Sequence, residues 1–415
     1  MSPEITDTRP ANSPLMRCCP LAGRKPITVA IPIGWSTNIG NAFFAEGIKY
    51  VLERAIPNCR AVLLTDQAAF LNLMPGRNYR HEPPNSLRYL DHIRPDYLVV
   101  GGSCLTEQFP RIWGESFRRL YQAGTKVLLI GAGPYDYSAK EIELCRDLLK
   151  QYPPHVFISR DHRTYEIFRD VSKHSYDGID CAYFVPEVFE PIKTDLPPYI
   201  VLNFDKTPEP LIRVSTHGAS PVSGSPNSAM GSTVQFDFRG HEWLLQFPKI
   251  RLKLSRLLDK GYAFTVGSMG LHGTRQRQAG EMMIVRTDHA LNPLMLRRIF
   301  RGPNAFAGDL PYTYYNLYGQ TELALTDRIH AALVTLSYGR PAMLISPSGR
   351  ASIIERVGGG DVTRKPTQLD MDVLAREKQG MIEFLSSVPW QAHDSVPRAR
   401  ELSGERDACG CHSGR

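Results

Sequence analysis

An arginine and a histidine two positions apart, Arg328 and His330, stand where a loop gives way to a helix. Together they can hold a small anion and carry a proton near neutral pH. The surrounding stretch, Thr321 to Pro347, reads as a loop, a helix, a turn and a buried strand. Leu325, Ile329, Ala332, Leu333 and Leu336 recur at helix-face spacing, Thr326 or Asp327 falls at the cap position, Gly339 ends the helix, and a strand follows from Ala342 to Ser346. Within a helix interior, residues two apart point in different directions, but in the first turn they can converge on one ligand. That turn also offers free amide N–H groups and the positive end of the helix dipole, both favourable to an anion. The same pair fits a plainer reading, a solvated surface arginine and a packed core histidine.

The elements that must position this pair alternate between buried strands and helices. Ile27 to Gly34 is a near-continuous apolar run that fits a parallel strand, and the loop WSTNIGNA leads from it into a helical pattern between Phe43 and Arg54. Further strands are expected at Arg60 to Asp66, Pro95 to Gly102, Lys126 to Gly133 and His155 to Asp161. This order predicts an α/β protein with a parallel sheet covered on both faces, whose ligands bind at the carboxyl ends of the strands. Gly40 and Asn41 in the first loop, and Gly102 and Gly133 at later strand ends, are candidate ligand-approach points or simply tight turns. Arg160, at the end of the fifth strand, is either a carboxylate or phosphate clamp or half of an ion pair with Asp161. The first loop carries neither GxGxxG nor the phosphate-loop pattern, so no nicotinamide or P-loop nucleotide site is indicated.

At 415 residues the chain predicts two lobes. Residues 1–25 read as a leader without order, 26–190 as an N-terminal Rossmann-like lobe and 191–388 as a C-terminal Rossmann-like lobe. The linker is expected near Pro186 to Pro198, and residues 389–415 as a frayed tail. Thr207 to Thr233 is polar and of low complexity and predicts a surface insertion. HEWLLQFPKIRLKLSRLLDKG reads as helical apart from Pro248, a strand resumes near Tyr262, Leu294 to Arg301 predicts a short helix, and Met371 to Val388 the last one.

Apolar residues at 42% and charged residues at 22% are ordinary for a folded soluble enzyme. A net charge of +7, spread along the chain, suits an anionic small substrate and lacks the dense basic stripe of a nucleic-acid binder. Eight cysteines form no CxxC pair and no metal-binding set, which predicts reduced thiols and no metal. With no secretion-type leader and no membrane-spanning run, the expected location is cytoplasmic, which leaves room for peripheral membrane association.

The segments TNIGN, PDYLVVGG, LLIGAGP, SRDHRTYEIF, IDCAYFVP and TDRIHAALVTLSYGRPAMLI, in this order, resemble the polysaccharide pyruvyl transferase family. The resemblance spans roughly Thr28 to Val388. It implies two lobes in a GT-B-like arrangement with a cleft between them. It also implies transfer of a pyruvyl group from phosphoenolpyruvate to two hydroxyls of a sugar, glycan or lipid-linked saccharide, with no further cofactor. By the same resemblance Arg328 and His330 match the family's RxH pair at the phosphoenolpyruvate site, and Arg160 matches an arginine expected to touch the anion. His330 is then the proton carrier, with Asp327 either orienting its ring or capping the helix. Two other readings remain open, a GT-B-like glycosyltransferase using a sugar nucleotide and a non-catalytic carbohydrate-binding homologue.

Overall fold

A computed structural model describes residues 25–35, 38–65, 89–205, 207–216, 233–247, 251–253, 265–267, 275–289, 299–300, 302–345 and 349–392. The expected leader and tail fall almost wholly outside them, as do the centre of the polar insertion and most of the expected helix at Leu294 to Arg301.

The first lobe is a parallel sheet of β1 (Ile27–Pro32), β2 (Cys59–Leu64), β3 (Tyr97–Leu105), β4 (Lys126–Pro134), β5 (Val156–Ser159) and β6 (His174–Tyr176), in the order β2-β1-β3-β4-β5-β6. Among the described residues it is accompanied by the helices α1 (Gly40–Ala55), α2 (Phe109–Gln122), α3 (Ala139–Gln151) and α4 (His162–Phe168). A short turn of helix, α5 (Val185–Val188), closes the lobe. Strands buried on both faces read as unbroken apolar runs, which is why VLLI of β4 and VFI of β5 have no polar alternation. The strand order reverses between β1 and β3, and a crevice opens at such a reversal.

The second lobe is built on β7 (Tyr199–Asn203). Next in the chain come β8 (Leu211–Thr216), β9 (Thr233–Phe238), β10 (His241–Gln246), β11 (Arg251–Lys253), β12 (Thr265–Gly267) and β13 (Gln278–Ala279). They are followed by β14 (Met282–Thr287), β15 (Ala305–Phe306), α6 (Tyr312–Gln320), β16 (Leu323–Thr326), α7 (Ile329–Ser337) and β17 (Ala342–Leu344). The last helices among the described residues are α8 (Ser352–Glu355) and α9 (Met371–Ser387). Strands β14, β7, β16 and β17 are parallel neighbours, so this sheet also reverses direction, at β7. The architecture is therefore α/β with two Rossmann-like lobes in a GT-B-like arrangement.

Three expectations need correction. HEWLLQ is the strand β10, paired with β8 and β9 in an antiparallel sheet, because Trp243 and Leu245 alternate inward and pack on Ile200, Leu202 and Leu323. Arg239 and Gly240, both with positive φ, form the two-residue turn that joins β9 to β10. The polar insertion is likewise not all loop, since Leu211–Thr216 lies within this sheet. Leu323–Thr326, read from sequence as loop and first helical turn, is a strand; a four-residue apolar run cannot be told from helix by periodicity.

The lobes share one hydrophobic core, which runs from Val29, Phe43 and Val99 through Tyr199, Tyr315 and Leu333. The last helix, α9, assigned by sequence to the C-terminal lobe, adds Leu374, Met381 and Leu385 to that core and touches the first lobe, where Ser386 Oγ donates to Ala55 O at 3.2 Å. Among the described residues no helix is long and apolar enough to cross a membrane.

Gly47 brings α1 against the backbone that follows Asp180, where an added Cβ would lie 1.8 Å from Cys181 O. In a helix interior Gly47→Ala would ordinarily add about 1 kcal/mol of stability. Here it is expected to remove roughly 3 kcal/mol instead, since neither backbone can retreat, and the midpoint of denaturant unfolding checks the sign.

Candidate active site

The helix α7 begins at the carboxyl end of β16, and the turn between them fixes the Arg-x-His pair. Thr326 Oγ1 accepts the Arg328 N–H at 2.9 Å, and Arg328 takes the N-cap position with extended backbone. Its guanidinium donates through Nε and Nη2 to Asp205, in the loop after β7. His330 lies within the first turn, buried, with its ring 5.6 Å from that of Phe44 on α1.

The two nitrogens of His330 face different surroundings. Nε2 lies 3.6 Å from Asp180 Oδ2, and neither atom has another hydrogen-bond partner. Asp180 is fully buried, and its Oδ1 accepts the Ala182 N–H at 2.9 Å. Burial, the largest influence, would raise the Asp180 pKa, but hydrogen bonding and charge from His330, the Ala182 N–H and the Arg160 charge together hold it below the usual carboxylate range. On the other side, a Cβ at Gly40 would sit 3.3 Å from His330 Nδ1 and 3.2 Å from His289 Nδ1. A side chain at this position would crowd both imidazole nitrogens, which the glycine at the start of α1 avoids.

His289 follows β14 and is buried; its Nε2 is 2.7 Å from Tyr318 OH, which accepts from Asn203 Nδ2 at 3.1 Å. Burial first, then the charges of Arg328 and His330, push its pKa well below the ordinary value, so this imidazole is neutral at pH 7.

These groups line a cavity of about 470 Å³ between the lobes. Ile31, Pro32 and Ile33 contribute from the end of β1, Asn38, Asn41 and Phe44 from the start of α1, and Ser103, Cys104, Trp113 and Tyr135 from further round the first lobe. His289, Arg328, Ile329, His330 and Arg350 close it from the second lobe. The cavity therefore lies where the strand-order reversals of both sheets face each other.

Of the residues singled out by sequence, Gly40, Asn41, Arg328 and His330 are brought together. Asn41 Nδ2 also donates to Gly34 O at 3.0 Å, which ties α1 to the end of β1. Gly102, with φ of +70°, makes room for the Phe44 ring, which a Cβ would approach to 2.7 Å. Gly133 makes room for Arg160, whose Nε would lie 2.5 Å from an added Cβ. Arg160 is fully buried and is not among the residues that line the cavity. It donates to Ser103 Oγ and Pro134 O, and its Nε lies 3.8 Å from Asp161 Oδ2, so it braces the wall through Ser103.

Asp327 neither orients His330 nor caps α7. Its carboxylate accepts the Thr207 N–H at 2.6 Å, the Thr207 hydroxyl at 2.9 Å and the Asp205 N–H at 3.3 Å. Arg328 takes the cap position expected at Thr326 or Asp327, so the helix starts one or two residues later, and Asp327 belongs to the strand-end turn and points back toward β7. Burial and the neighbouring Asp205 charge raise its pKa. The carboxylate beside His330 comes instead from Asp180, nearly 150 positions earlier. Asp180, His289, Asp205 and Arg350 were not singled out by sequence; the signal for Asp180 and His289 was their position just past a strand or apolar run, in GID and RTDH.

The chain belongs to the polysaccharide pyruvyl transferase family, whose profile matches residues 38–349. No curated protein gives a match. Among solved structures, the chain is similar to an S. aureus MnaA–UDP co-structure at 10% identity, covering 87% of this chain and 91% of that one with a TM-score of 0.45. It is also similar to a putative UDP-N-acetylglucosamine 2-epimerase from Listeria monocytogenes, at 10% identity over 88% and 92% of the two chains with a TM-score of 0.44. A Methanocaldococcus jannaschii UDP-GlcNAc 2-epimerase in complex with UDP-GlcNAc and UDP gives 12% identity over 88% and 95%, with a TM-score of 0.43.

Proposed function

We propose that the protein transfers a pyruvyl group from phosphoenolpyruvate to two hydroxyls of a saccharide, releasing phosphate and leaving a pyruvate ketal. The observation that carries this reading is the pairing of Arg328 and His330 at one helix start, both lining the cavity, with the imidazole Nε2 turned to Asp180. The phosphate is an anion that Arg328 and the N-terminal amides of α7 can hold through charge-assisted hydrogen bonds. His330 delivers a proton from Nδ1 to the methylene carbon, which makes C2 electrophilic. One sugar hydroxyl adds to C2, the C2–O bond to phosphate breaks, and the second hydroxyl closes the ketal. Of the two hydroxyl protons, one replaces the proton given up by His330 and the other leaves with phosphate, so the sum balances without a redox partner. Asp180 holds the imidazole with its proton on Nε2 whenever the ring is neutral, so that Nδ1 is the nitrogen that exchanges protons with the reactants.

Phosphoenolpyruvate is accordingly expected to raise the melting temperature and inorganic phosphate to compete with it. At about a hundred times its dissociation constant a ligand adds about 2.7 kcal/mol of stability. A thermal-shift series with phosphoenolpyruvate, phosphate and several sugar nucleotides checks this. Stabilisation by a sugar nucleotide alone would favour glycosyl transfer instead.

A further inference from the structure

Along the rim of the second sheet, the carboxyl ends of three neighbouring strands present Asp205 after β7, Arg328 after β16 and Arg350 in the turn after β17. Arg328 shares its guanidinium with Asp205, through Nε and Nη2. Arg350 has no such partner: among the described residues no carboxylate lies within ion-pair distance, and its guanidinium rests over the Tyr135 ring, 5.0 Å from the centroid. Tyr135 follows β4 of the first lobe, so Arg350 makes a contact between the lobes, and both residues line the cavity.

A guanidinium is a planar fork that matches a carboxylate with two parallel hydrogen bonds, and stacking on an aromatic face fixes the plane of that fork. Adjacent strands are about 4.8 Å apart, of the same order as the separation between two acidic groups on a three-carbon skeleton. We propose that Arg350 anchors the carboxylate of phosphoenolpyruvate while Arg328 and the start of α7 hold its phosphate. This assignment rests on the donor reading above and adds to it the group that distinguishes phosphoenolpyruvate from other phosphate esters. Burial is the largest influence on the Arg350 pKa; with the charges of Arg160 and Arg328 it outweighs the opposing influence of Tyr135 and Asp136 and lowers that pKa. Arg350 lies immediately beyond the stretch matched by the family, residues 38–349.

Ethenyl phosphate, which keeps the phosphoenol group and lacks the carboxylate, separates the two contacts. Calorimetric titration of the wild type is expected to favour phosphoenolpyruvate over ethenyl phosphate by about tenfold or more, the weight of a charge-assisted pair. In Arg350→Gln that preference should collapse to about twofold, with affinities for ethenyl phosphate and inorganic phosphate nearly unchanged. Arg350→Lys should fall between, since it keeps the charge and loses the fork, and it serves for the same ratio should the Gln variant not fold. An unchanged preference in the variants, or an equal loss for phosphoenolpyruvate and ethenyl phosphate, overturns the assignment and leaves the donor reading standing. Absence of phosphoenolpyruvate binding to the wild type overturns both.

Discussion

Replacing His330 by Gln is expected to lower turnover at saturating substrate by roughly two to four orders of magnitude, the range for loss of a general acid or base. The amide keeps approximate size and hydrogen bonding at the start of α7, and the anion contacts of Arg328 are untouched. Phosphoenolpyruvate affinity should therefore stay within a few-fold of the wild type, so the loss falls on kcat. Rates at saturation together with calorimetric binding decide the matter. A variant that binds poorly but turns over normally when saturated would make His330 a binding residue, and one that unfolds would make it a packing residue.

A second large effect is expected at Asp180. Asp180→Asn preserves volume and the bond from the Ala182 N–H but removes the charge that, in the proposed mechanism, holds the proton on His330 Nε2. The amide can present either a donor or an acceptor to that nitrogen, so the productive tautomer loses its advantage. Turnover should fall by roughly a hundredfold, within the range for general acid–base catalysis, while ligand-induced stabilisation persists. The same variant has a pH signature in stability. The folded pKa of Asp180 is depressed, so its ionised form contributes stability above the unfolded-state value of about 3.9 and loses that contribution as pH falls through the folded value. The gap between wild type and Asp180→Asn in denaturant midpoint should thus be widest near neutrality and narrow below about pH 4. A gap that widens on acidification would mean that Asp180 is protonated in the folded protein.

Local signals carried the first lobe well, because its strands and helices alternate and each is long enough for its period to show. The region around β8, β9 and β10 was harder. KIRLKLSRLL supplied apolar spacing that suggested a helix and drew HEWLLQ into it, although Arg239-Gly240 between alternating runs is a hairpin signal in its own right. The Arg-x-His pair was legible because both residues lie on one turn. Its partners were not, since Asp180 and Asp205 reach it only through tertiary packing. Arg160 shows the converse: its strand-end position was evident, but whether it faced a ligand or its own wall depended on Gly133, Ser103 and Pro134 around it.

The core shared by the lobes bears on how the chain can be divided. Phe43 of α1 lies edge-on to His289 and Tyr315 of the second lobe, with ring centroids 5.1 Å away in each case. A fragment ending near residue 190 would leave that aromatic seat empty and strip α9 from α1, exposing apolar surface on both pieces. Separately produced halves should therefore be poorly soluble alone and regain structure when mixed, assembling the two histidines only in the complemented pair. Heating the intact chain should give one cooperative transition rather than two, since neither sheet can lose its packing without uncovering the other.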